Sequence, residues 1–167
     1  MSKEINEGIL QGAREALAYA EDERNNRLIA SRLPENLDEV AIDLAWLKLT
    51  RIPPESMVKL TEYPNLESLS LQLNYLDELP DLIGDLAKLK YISLHSNRLT
   101  KLPDSFGNLM ELERIHLSNN KFTKLPEFLG LLPNLRQLSL GTMTPTMPES
   151  LRHPRPELTI FRNDWEK

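Results

Sequence analysis

A step of 23 residues governs this chain. Leu66, Leu89, Leu112 and Leu135 recur at that interval. The first three open units of the form L-x-x-[LI]-x-L-x-x-N-x-[LF]-x-x-L-P-x-x-h-G-x-L, with h apolar. Three units in succession keep the pattern. The first holds Leu66, Leu69, Leu71, Asn74, Leu76, Leu79 and Pro80. The second holds Leu89, Ile92, Leu94, Asn97, Leu99, Leu102 and Pro103, and the third Leu112, Ile115, Leu117, Asn120, Phe122, Leu125 and Pro126. Gly84, Gly107 and Gly130 keep the same step. A unit this short cannot enclose its own leucines, so the units must stack around a shared interior. Each is expected to supply one short strand, paired in parallel with the next at about 4.8 Å.

The other recurrent residues have physical reasons to recur. A buried Asn amide carries two donors and an acceptor, and so satisfies backbone groups where the chain turns inward after the strand. Leu47 and Met143 stand where that Asn belongs in the outer units, so the amide ladder is expected to stop there. The prolines set φ on the return limb without wasting a ladder donor. The glycines there permit positive φ or a close backbone approach.

These units resemble the leucine-rich repeat, in its intracellular form with an LPxxhGxL return limb. The resemblance covers about residues 39–150, with units starting near 39, 66, 89, 112 and 135. It implies an α/β fold, a short right-handed solenoid with a curved parallel β-sheet on its concave face, and binding of protein on that face. The unit over 39–65 is degenerate and about four residues longer than its successors. Gly141–Pro148 replaces the Asn turn of the last unit and is one residue short.

Residues 1–38 read as a helix and linker that cap the solenoid, and 151–167 as a C-terminal cap. Ile5, Ile9, Ala13, Ala16, Leu17 and Ala20 fall on one face of a helix over 3–22, which predicts an amphipathic cover for the open end of the first unit. Residues 23–36 start polar and continue Leu28-Ile29-Ala30, which reads as a linker with one short strand. Leu158–Phe161 reads as a last edge strand, with Trp165 folding back on it. Residues 7–20 are also similar to the opening helix of some bacterial helix-turn-helix antitoxins. No recognition-helix pattern follows, so that likeness carries over no DNA-binding residue and implies only a bacterial origin.

Bulk properties exclude several classes. Net charge is −5, and residues 1–50 hold six Lys/Arg against ten Asp/Glu. An acidic chain with no basic run is not expected to bind nucleic acid, where phosphate neutralisation dominates affinity. There is no cysteine, hence no disulfide cap and no thiol nucleophile. The N-terminus lacks the apolar core of a secretion signal, and no apolar run is long enough to span a bilayer. A cytoplasmic monomer that binds neither nucleic acid nor membrane is expected.

Residues between the inward leucines face solvent on the concave side. They form columns: Ala41, Ser68, Tyr91, Arg114, Gln137; then Asp43, Ser70, Ser93, His116, Ser139; then Ala45, Gln72, His95, Ser118, Gly141. Beyond these lie Trp46, Leu73, Ser96, Asn119 and Thr142. The expected partner-binding set is Trp46, Ser68, Ser70, Gln72, Tyr91, Ser93, His95, Arg114, His116, Ser118, Gln137 and Ser139. Binding hot spots favour Trp, Tyr and Arg, although Trp46 has an alternative place under the N-terminal helix. A Ser–His hydrolase would need an orienting acid, an oxyanion hole and a pocket, and the pattern offers none. Two histidines fall short of the three or four ligands of a zinc site. No catalytic residue, metal or cofactor is therefore expected. The function expected is a non-enzymatic adaptor or inhibitor that binds a protein or peptide. The alternative is a structural module that oligomerises through its terminal helix or edge strand.

Overall fold

The leucines find their shared interior. The computed structural model describes residues 2–153 and 155–162. Six three-residue strands, β1 (Ala41–Asp43), β2 (Ser68–Ser70), β3 (Tyr91–Ser93), β4 (Arg114–His116), β5 (Gln137–Ser139) and β6 (Thr159–Phe161), form one parallel sheet in chain order. Their register is the 23-residue step itself: Ser68 pairs with Tyr91, Tyr91 with Arg114, Arg114 with Gln137. Ile42, Leu69, Ile92, Ile115 and Leu138, the middle residues of β1 to β5, are buried, and one apolar core runs from Ile29 to Leu158. The expected edge strand is β6, paired with β5.

The return limbs differ between units for a reason of length. The longer first unit closes with an eight-residue helix, α2 (Pro54–Thr61). The regular units have room only for 3-10 turns at Asp81–Asp85 and Asp104–Asn108. Short helices α3 (Phe128–Leu131) and α4 (Glu149–Arg152) close the last two. Pro53, Pro80, Pro103 and Pro148 each stand just before a limb, with φ between −63° and −70°, the value that the ring imposes.

The asparagine ladder forms, and each rung serves the unit before its own. The Oδ1 atoms of Asn74, Asn97 and Asn120 accept from the backbone N–H of Leu49, Leu76 and Leu99, each at 3.0 Å. Their Nδ2 atoms donate to the carbonyls of Leu44, Leu71 and Leu94 at 2.9 Å and also to Leu71, Leu94 and Leu117 of their own units. The ladder therefore reaches back into the degenerate first unit despite Leu47. At its far end the Met143 sulfur accepts from Asn120 N–H at 3.4 Å.

Close approach, not positive φ, is what the return-limb glycines provide. Among the described residues, the one glycine with positive φ is Gly141, at 56°. A Cβ on Gly84 would collide with the Ser105 carbonyl of the next coil, whereas one on Gly107 would meet Phe128 at an ordinary 3.4 Å. Gly84→Ala is expected to destabilise by about 1–3 kcal/mol through overpacking, and Gly107→Ala by much less. Denaturation midpoints of the two variants measure this; equal losses would contradict it.

The N-terminal element departs most from expectation. The helix α1 runs from Ser2 to Ala30, 29 residues, so the linker and short strand expected over residues 23–36 give way to helix as far as Ala30. The polar residues that read as linker are the ones that dock. Asn25 is fully buried and donates to Thr50 Oγ1 and the Arg51 carbonyl, both at 3.2 Å. Arg24 donates to the Lys48 carbonyl, Arg51 pairs with Asp22 at 2.5 Å, and Thr50 donates to Glu21. Ile29, also fully buried, closes the core. This half of α1 covers the first unit. Further toward the N-terminus Arg51 donates to the Ala18 carbonyl at 2.8 Å, while Ala16, Leu17 and Ala20 are exposed, Leu17 at 71%. The side chains of Ile5, Ile9 and Ala13 lie outside those described, and Trp165 lies outside the described residues. Among the described residues, no helix is long and apolar enough to cross a membrane.

Candidate functional site

Because the strands pair in register, the three columns form side by side on the concave face. The sheet shortens the distance between residues 23 apart to one strand spacing. Tyr91 and Arg114 become neighbours, with the guanidinium 5.2 Å from the ring centroid. This cation–π geometry holds both side chains without burying either. His95 and His116 stack at 5.0 Å with their planes 20° apart.

A buried hydroxyl joins the two imidazoles. Ser118 Oγ lies 2.7 Å from His95 Nδ1 and 2.8 Å from His116 Nε2, and Ser96 Oγ lies 2.9 Å from His95 Nε2. One hydroxyl proton serves only one of two ring nitrogens, so the other must be protonated and donate. The chain of bonds continues as Asn119 donates to Ser96 at 2.7 Å. It fixes the orientation of the stacked rings, which are half-buried. Ser118 is fully buried, so its oxygen is a support for the histidines and not a nucleophile that a substrate reaches. Among the described residues, no group of three or more His, Cys, Asp or Glu is placed to hold a metal ion.

The other expected residues divide by exposure. Gln137 is exposed and Ser68, Ser70, Gln72 and Ser139 are half-buried. Ser93 is buried and donates to Gln72 Oε1 at 3.1 Å, so it positions Gln72 from below the surface. Ala45, placed in the third column, is buried as well. Trp46 is not under the N-terminal helix: it is 69% exposed, at a positive φ of 63°. Leu73, Ser96 and Asn119 share that left-handed turn at φ of 54–58°, and Gly141 takes it in the fifth unit, one residue early. The shortening by one residue noted at Gly141–Pro148 falls there.

Two features escape a reading by columns alone. β6 adds Thr159 and Phe161 to the first two columns. On the rim just past the strands, Arg98 lies 4.7 Å from the Tyr75 ring, a second cation–π pair across two units. On the opposite flank Lys90 donates to Glu67 Oε1 at 2.8 Å, a bond that favours its charged form and raises its pKa.

A solenoid of stacked 23-residue units with a one-sided parallel sheet defines the class of protein. The leucine-rich-repeat family model matches residues 64–122 and 88–142, and the chain belongs to that family. A leucine-rich-repeat protein of Leptospira interrogans is 30% identical, with 79% of this chain and 38% of that one covered at a TM-score of 0.53. An internalin of Listeria monocytogenes is 22% identical over 66% of this chain and 32% of its own, at 0.51. The leucine-rich-repeat ectodomain of the receptor kinase SOBIR1 from Arabidopsis thaliana is 23% identical over 86% and 92%, at 0.57. The last two show the fold alone. The chain spans about a third of the length of the two bacterial proteins. Bacterial and plant chains match alike, so origin is not decided by them. No protein of curated function matches the sequence. The leucine-rich repeat is in general a protein-interaction fold.

Proposed function

We propose that this chain is a non-enzymatic interaction module that binds a protein or peptide on its concave face and acts as an adaptor or inhibitor. The observation that carries the reading is the organised patch of Tyr91 against Arg114 beside stacked His95 and His116, with exposed Trp46 at the rim. Rigid, pre-positioned aromatic and Arg side chains contribute most to binding because little entropy remains to be lost. Half-buried serines around them give room for a partner's side chains.

Size sets the kind of partner. Six strands at about 4.8 Å span about 24 Å, and four or five residues along each span about 15 Å. That area is below the about 800 Å² per partner of a standard interface. The ligand is therefore an extended segment or loop, with further contacts at the rims. The absence of cysteine suits a cytoplasmic setting, and we place the protein there as a monomer.

The test is capture from native lysate by wild type beside Tyr91→Ala/Arg114→Ala/His116→Ala, with circular dichroism confirming the fold. A partner held by the wild type and weakened at least about tenfold by the variant supports the concave site, as loss of one or two hot spots would produce. A partner held equally by both moves the site elsewhere. A second reading, self-association, is favoured by the outer edge of β6 and by Leu17 and Tyr19, exposed at 71% and 68% on α1. Solution mass separates the two: it stays at 19.2 kDa for the first and rises with concentration for the second.

A further inference from the structure

The chain is acidic, and its basic residues form no run in sequence. The fold nevertheless collects four of them. Arg98 and Lys101 lie on one coil, and Lys121 and Lys124 lie 23 residues on, at the same places of the next. All four are exposed. The coils are locked side by side there: Arg98 N–H donates to the Leu76 carbonyl and Lys121 N–H to the Leu99 carbonyl, each at 2.9 Å. Thr100 and Thr123, also exposed, lie between the basic pairs. Lys101, Lys124, both threonines and, at one end, Glu127 line a trough of about 360 Å³ between the two return limbs. Among the described residues, none of the four cations is in an ion pair. By contrast Arg51 of the first unit pairs with Asp22, and Lys90 on the other flank pairs with Glu67.

The same two units carry Arg114, His95 and His116 on the concave face. The one acidic residue in the three concave columns is Asp43 of the first unit, and it accepts from Ala45 N–H at 2.9 Å. The Arg114 guanidinium on the concave face of β4 therefore adds to the positive charge of the adjoining rim. It is bounded closely. One coil earlier Tyr75 and Glu78 occupy the corresponding places and Asp77 that of Thr100, and Asp104 and Glu127 follow Pro103 and Pro126 on the return limbs. A membrane surface or a nucleic-acid duplex is anionic over a wide area and would meet these four acids as well. A narrow acidic strand in the trough meets Glu127 alone of the four, and that carboxylate already accepts from Ser150 N–H at 2.7 Å.

We propose that the rim patch Arg98, Lys101, Lys121 and Lys124 docks an acidic segment of the polypeptide bound on the concave face. The inference rests on the reading of the chain as a protein-binding module and names the chemistry of its partner. A ligand that crosses β3 and β4 leaves the sheet over this rim, and carboxylates in that part of it meet four cations without a carboxylate partner among the described residues, Arg98 being held over the Tyr75 ring. Charge complementarity of this kind raises the rate of association and selects the partner.

The experiment uses a fluorescein-labelled deca-glutamate peptide as probe, measured by anisotropy at low and at physiological salt. Three proteins are compared. The first is wild type. The second is Arg98→Gln/Lys101→Gln/Lys121→Gln/Lys124→Gln. The third neutralises four exposed cations elsewhere, Arg32→Gln/Lys59→Gln/Lys88→Gln/Arg136→Gln, and so has the same net charge. The rim variant is expected to lose at least about tenfold in affinity and most of the salt dependence, and the control less than about twofold, since scattered surface charges contribute little. Equal loss in both variants would show that only net charge matters and would overturn the proposal, as would no loss in the rim variant. Tighter binding of phosphatidylserine vesicles or of a 20-nucleotide DNA through the same four residues would overturn it in favour of another anion. The concave triple variant in the lysate capture keeps the two readings apart. If that variant loses its partner while the rim variant still binds the peptide normally, the rim proposal fails and the concave reading stands.

Discussion

Phe106→Ala is expected to cost about 3–5 kcal/mol, the range for emptying a fully buried aromatic site. Phe106 is completely buried and is the largest such side chain in the core. It occupies the apolar position before the return-limb glycine, where the flanking units have Ile83 and Leu129, and it stacks on Phe128 of the next unit at 6.3 Å. Removing the ring therefore opens a gap between two coils, and neither coil can move in to close it while the sheet and the ladder hold their spacing. A domain of this size has about 5–15 kcal/mol of stability in all, so the variant is expected to unfold at far lower denaturant than wild type. A conservative Phe106→Leu should recover most of the loss. A midpoint for Phe106→Ala within experimental error of wild type would mean that the shared interior is not what holds the units together.

The ladder makes a second expectation, in which the order of two effects matters more than the size of either. Asn97→Leu leaves the Leu76 N–H without its acceptor. The Leu71 and Leu94 carbonyls keep Asn74 and Asn120 as donors. One orphaned buried donor costs about 1–3 kcal/mol. Asn74→Leu orphans two groups: Leu49 N–H loses its acceptor, and Leu44 has no second ladder amide, because Leu47 stands where an Asn would donate. Its cost is expected to be about 2–5 kcal/mol on the same basis. Chemical denaturation of both variants checks the ranking. If Asn97→Leu proves the more damaging, the one-unit-back bookkeeping of the ladder is wrong.

The parts of the fold written periodically were legible. Strand register, the concave columns and the inward leucines all follow from a period of 23 because stacking copies one unit's geometry onto the next. The misreadings fall where a residue's role is set by a partner without that period. Asn25 looks like linker until Thr50 and Arg51 are brought against it, since a buried polar residue on a helix carries no hydrophobic signal. Leu17 looks like core because it shares a face with other apolar residues, yet nothing described packs on it. Trp46 had two places open to it, and a left-handed backbone turn decided for the exposed one. Ser93 and Ser118 belong to the right columns, but small side chains between larger ones end up beneath the surface, as supports. The rim patch was hidden for the opposite reason. Arg98, Lys101, Lys121 and Lys124 repeat at 23 residues, but on the limb outside the sheet.

The central claim is that partners meet the concave face around Tyr91. The most direct measurement is photo-crosslinking in native lysate from a benzophenone amino acid placed at residue 91, beside the same label at Leu131, which is 69% exposed on α3 of the return limbs. The account predicts a discrete cross-linked product from position 91, competed by excess unlabelled protein, and none from position 131. A product from position 131 with none from position 91 would contradict it.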